Sequence, residues 1–224
     1  GSSGTTAGSG AASFTASDDD KSVGLHQAYF TLKNFAGMPA NLKFGRQQVV
    51  LDGHRLFGHT GWTTGAQTHD AIRLTHKGGN HTMSYVYILA NEAGDAGSVE
   101  DIDVHVFHAN FQGILGGGLS VIYAAYLDGC GSGAGLAKAC NNQANNIHTI
   151  GFRQAGQLFG INYRGEYYHQ FGDARADATL ATTQDFSTQA NQASIDRDAY
   201  MFGLRIGKKF NNVAMKPSLT LWYD

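Results

Sequence analysis

The chain has 224 residues, of which 42% are hydrophobic, enough for one sizeable β domain; its formal charge of -2, with no basic run beyond Lys208-Lys209, argues against nucleic acid as a partner. No stretch approaches the roughly 18 apolar residues of a membrane helix, so any membrane span must be made of strands. Thirty glycines, thirteen phenylalanines, ten tyrosines and only two prolines suit such a sheet-rich chain.

Residues 1–23 are rich in Gly, Ser, Ala and Thr and read as a flexible external loop or an expression remnant, leaving 24–224 as a partial β-barrel. From Leu25, alternation places Ala28, Phe30 and Leu32 opposite Gln27, Tyr29, Thr31 and Lys33, the period-2 signature of a strand with one apolar side. A turn at 34–40 leads to a second strand with Leu42 and Phe44 against Asn41, Lys43 and Gly45. After a long excursion at 49–68, Ile72 and Leu74 oppose Ala71, Arg73 and Thr75, and a turn at 77–80 opens the strand from His81 to Ala90.

At this point the ordered run of Ala28-Tyr29 with Leu32-Lys33-Asn34, Gly45-Arg46-Gln47, Asp52-Gly53-His54-Arg55-Leu56, Trp62 and Asp70-Ala71-Ile72-Arg73-Leu74 resembles the alginate-export family of outer-membrane β-barrel porins. The resemblance implies a transmembrane antiparallel β-barrel of about eighteen strands, integral to a bacterial outer membrane, with loops and turns that help gate an electropositive constriction. By motif it assigns Arg46, Arg55 and Arg73 to that constriction. It also implies outer-membrane lipid, an anionic polysaccharide and periplasmic export proteins as partners. The apolar run Gln48-Val49-Val50-Leu51 after the Gly-Arg-Gln triplet departs from the expected polar loop.

Three further strand pairs follow. Ile102–Phe111 and Leu119–Leu127 flank a turn at 112–118; the faces of the first are ambiguous, because Ile102, Val104 and Val106 share a side with His108 while Phe107 and Phe111 lie opposite. The next pair sets His148, Ile150 and Phe152 against Arg153, turns at 154–157, and returns with Phe159, Ile161, Tyr163 and Tyr167 against Arg164 and Glu166. The last sets Tyr200, Phe202, Leu204 and Ile206 against Arg205, turns at 207–212, and returns with Met215, Leu219 and Leu221 against Lys216 and Trp222. Ten strands result, with short and long connections in strict alternation, the habit of outer-membrane barrels.

The polar face carries Lys33, Lys43, Arg73, Arg153, Arg164, Arg205 and Lys216, with Glu166 as its acid. Each Arg or Lys placed on the lipid side near the midplane would cost about 2–4 kcal/mol, so this face is expected to line a basic lumen that favours anions. The alternative is that these side chains merely fill the interior, paired with acids. Arg46 falls with Leu42 and Phe44 by alternation, which places it at the outer rim or after a bulge. Aromatics near strand ends, among them Tyr85, Tyr126, Tyr200 and Tyr223, fit interfacial girdles.

Cys130 and Cys140 fit a loop disulfide formed in an oxidising compartment, or else two free thiols. The ten histidines show no zinc spacing and no Gly-x-Ser-x-Gly elbow occurs, so neither a cofactor nor catalysis is implied. The expected function is an outer-membrane channel for an alginate-like polysaccharide or organic anion. Its rivals are an uptake porin for small solutes, an outer-membrane barrel hydrolase and a soluble sheet-rich binding module.

Overall fold

The computed structural model describes residues 25–59, 66–91, 100–130, 145–174 and 195–224. Within them lie ten strands: β1 (Ala28–Leu32), β2 (Ala40–Gln47), β3 (His69–Lys77), β4 (His81–Asn91), β5 (Glu100–Ile114), β6 (Gly117–Cys130), β7 (Asn145–Leu158), β8 (Ile161–Ala174), β9 (Ile195–Lys209) and β10 (Ser218–Tyr223). Each pairs antiparallel with its neighbours in sequence, giving one ten-stranded meander. Among the described residues no helix is long and apolar enough to cross a membrane.

Two hairpin turns are tighter than the polar runs in the sequence suggest. β5 and β6 are joined through Leu115 and Gly116, and β7 and β8 through Phe159 and Gly160, with both central residues at positive φ in each case. This geometry matches the right-handed twist of the flanking strands. At Gly116 a Cβ would also collide with the Gln157 carbonyl. The expected turn at 154–157 is therefore strand: Gln154 donates its amide to the Tyr163 hydroxyl and the Ile114 carbonyl. Phe159 sits at the turn, 97% exposed, instead of on the strand face. The last turn is also displaced, spanning 210–217 and taking in Met215 and Lys216, both at positive φ.

Register divides the sheet into two faces. One presents Phe30, Phe44, Phe107, Ile150, Phe152, Phe202 and Leu221, all large, apolar and exposed. The other is covered by its own chain. The segment 48–59, between β2 and β3, folds back across it as a strap, and Val49 and Leu51 join Ala71, Val86, Ile88, Val106, Ile122, Ala124 and Tyr168 in one buried cluster. That cluster draws on β3 through β6 and on β8, of which the outermost, β3 and β8, would lie about 24 Å apart in a flat sheet at about 4.8 Å per strand. The sheet curls around the strap, whose face is the concave one.

The strap also explains why the faces of β5 are hard to read. Val104, Val106 and His108 all point to the concave side, where Val49 and Leu51 offer apolar partners and Asp52 offers a polar one. A strand covered by a second layer has two apolar faces, so alternation fades. The apolar run Val49-Val50-Leu51 has the same cause: Val49 is fully buried and Leu51 nearly so.

Candidate functional site

Two polar anchors hold the strap. The Asp52 carboxylate accepts a hydrogen bond from His108 Nε2 on β5 at 3.0 Å. Burial opposes its ionisation, but the His108 and Ser120 hydrogen bonds and the nearby charges of His108 and Arg153 outweigh that cost and hold the carboxyl below its ordinary value. Three residues on, the Arg55 guanidinium donates to Glu166 Oε1 on β8 at 2.6 Å from Nη2 and 3.2 Å from Nε, and to Asp224 at 3.1 Å. The Glu166 bond holds the Arg55 proton more firmly than in free arginine, against the opposing effect of burial.

Glu166 is the hub of this site. Its side chain is 2% exposed, and besides Arg55 it faces Arg164 Nη2 at 3.5 Å and Arg153 Nε at 3.9 Å. Arg205 lies directly across from Arg164 in the β8–β9 register, with its guanidinium 3.6 Å from the centre of the Trp222 ring. Four guanidiniums (Arg55, Arg153, Arg164, Arg205) thus gather around the carboxylates of Glu166 and Asp224, with Asp52 also close enough to Arg153 to feel its charge, a formal surplus of one positive charge with His108 neutral. Arg153 Nε is enclosed without a hydrogen-bond partner among the described residues. A buried donor of this kind retains capacity for an anion.

A second basic pair stands on β2 and β3, where Lys43 and Arg73 are opposite one another on the concave face. Lys43 Nζ lies 3.5 Å from the centre of the Tyr29 ring, and Arg73 Nε is enclosed without a partner among the described residues. The remaining expected residues lie elsewhere. Lys33 follows β1 at the short-turn end, and Lys216 belongs to the 210–217 turn and not to a strand face. Arg46 points to the same side as Phe44 and forms a two-pronged ion pair with Asp70, at 2.7 and 3.0 Å. Cys140 and the side chain of Cys130 lie outside the described residues, as does Trp62. Trp222 faces the concave side beside Arg205, and so stands apart from the outward aromatics.

Alternation finds Arg73, Arg153, Arg164, Glu166 and Arg205, because each sits on a regular strand. Arg55 comes from the motif alone, since no periodicity governs a strap. The pairing of Asp52 with His108 carried no signal, because 56 residues separate them.

No curated protein and no solved structure matches the chain. A family model described as Alginate export matches residues 5–224, nearly its whole length. The ten-stranded antiparallel meander, with one apolar face turned outward, agrees with the wall of a membrane barrel. The chain belongs to the alginate-export family of outer-membrane transport channels.

Proposed function

We propose that the chain forms an arc of a barrel of about eighteen strands and conducts anions, an alginate-like polyuronate above all, through a basic lumen constricted by the strap. The observation that carries this reading is the cluster at Glu166: four arginines held around two carboxylates on the concave face, with a buried Arg153 donor unspent. In a narrow passage the effective dielectric is low, so a surplus of positive charge lowers the barrier for anions and raises it for cations. Guanidiniums also present paired donors that match a carboxylate. Glu166 limits that attraction, keeping the site from binding a polyanion too tightly to release it. Lys43 and Arg73 extend the basic surface along the wall; Arg46, turned outward and paired, takes no part.

The test is the reversal potential of the intact protein in a planar bilayer under a salt gradient. Anion selectivity is expected, falling in Arg153→Gln, Arg164→Gln and Arg205→Gln and rising in Glu166→Gln. Each arginine variant should also weaken blockade by added polyuronate. Cation selectivity, or variants that leave the potential unchanged, would overturn the reading and leave the arginines as internally neutralised filling.

A further inference from the structure

The outward face holds a feature that the channel reading does not use. Two cross-strand rows run side by side over β3 to β6: Leu74, Tyr85, Phe107 and Tyr123 in one, and His76, Met83, Ala109 and Val121 in the other. Ala109 has only a methyl group where its neighbours are large, so the wall is dented there. The resulting groove has a volume of about 360 Å³ and an almost wholly apolar lining. Cavities of roughly 300–1,000 Å³ hold ligands with several rotatable carbons.

The groove has a polar end. His76 closes it toward the short-turn rim, where the His81 ring lies against it at a tilt of 38°, with ring centres 5.5 Å apart. His76 Nδ1 lies 2.9 Å from the Pro39 carbonyl, which can only accept, so Nδ1 carries the proton. In the neutral ring Nε2 is then a hydrogen-bond acceptor. A trough for a hydrocarbon chain that ends at a fixed acceptor, on a face turned to lipid, matches a headgroup that donates.

We propose that this groove is a binding site for a phospholipid with an ammonium headgroup, phosphatidylethanolamine, in the leaflet at the short-turn side. One acyl chain lies over Ala109 between Phe107 and Val121, and the ammonium donates to His76 Nε2. The proposal rests on reading the outward face as the lipid-facing wall of the barrel. It is independent of what the lumen conducts.

The test uses the intact protein reconstituted with vesicles of equal parts phosphatidylethanolamine and phosphatidylglycerol, re-extracted into detergent and weighed by native mass spectrometry during graded washing. One phosphatidylethanolamine should persist per chain in the wild type. Ala109→Trp, which fills the dent, should reduce its retention by about tenfold, the equivalent of roughly 1.4 kcal/mol. His76→Ala should keep a lipid but lose the preference for phosphatidylethanolamine. Heat-modifiable gel migration of each variant reports the barrel separately, and Ala109→Leu replaces the tryptophan variant if that one does not fold. Retention unchanged by filling the dent, or no preference between the two lipids in the wild type, would overturn the proposal. Loss of heat-modifiable migration in the wild type would instead overturn the membrane reading beneath it.

Discussion

Asp52 and His108 form the bond that fixes where the strap lies, and its strength depends on pH in a defined direction. The folded-state value of Asp52 lies below the ordinary 3.8, so its contribution to docking is fully present above 3.8 and is lost as pH falls through the lower folded value. Single-channel conductance is therefore expected to stay level from neutral pH down to about 3.8 and to rise only below it. Asp52→Ala should show the raised conductance already at neutral pH, and a level profile in that variant at the wild-type value would show that the bond does not restrain the strap. At this scale the sequence was legible wherever alternation applied. Arg153, Arg164 and Glu166 share a face because strand geometry leaves them no other choice. Lys216 was misplaced because a positive-φ turn breaks the count before β10 begins.

The strap is an element without secondary structure that nonetheless has a core. Val49 and Leu51 bury against Val106 and Ile122, contributing about 1.5–3 kcal/mol per side chain removed from water. Leu51→Asp would leave an unpaired carboxylate in that contact at a cost of several kcal/mol. The expected result is a released strap, seen as a larger conductance and faster proteolysis within 48–59, while heat-modifiable migration is retained. An unchanged conductance would mean that the strap does not narrow the passage. The hairpins themselves were legible in outline but not at their tips. Gln154 and Gln157 look like turn residues, yet the chain continues as strand through them, with their side-chain amide nitrogens donating to partners near the rim. The true turn at Phe159-Gly160 is marked only by the glycine's tolerance of positive φ.

At the scale of the whole molecule the two faces answer to different solvents, and substitutions should separate them. Phe152 is half exposed on the outward face, where Phe152→Arg should lower the unfolding free energy in lipid by about 2–4 kcal/mol. A neutral effect in a liposome unfolding titration would mean that this surface is covered by something other than lipid. The fold class was legible because the alternation of apolar and polar residues survives in most of the strands. It blurred at β5, where the concave side is apolar too, and the second layer responsible is a loop whose destination no local pattern records. That layer has a bearing on the order of events during assembly. Arg55 reaches Glu166 across 111 residues and Asp224 across 169, so its contacts close the longest loops in the site. The strap has no complete berth until β8 and Asp224 are in place, and the inner side of this arc would stay open until then. Docking would come late, as a step that only the assembled arc can trigger.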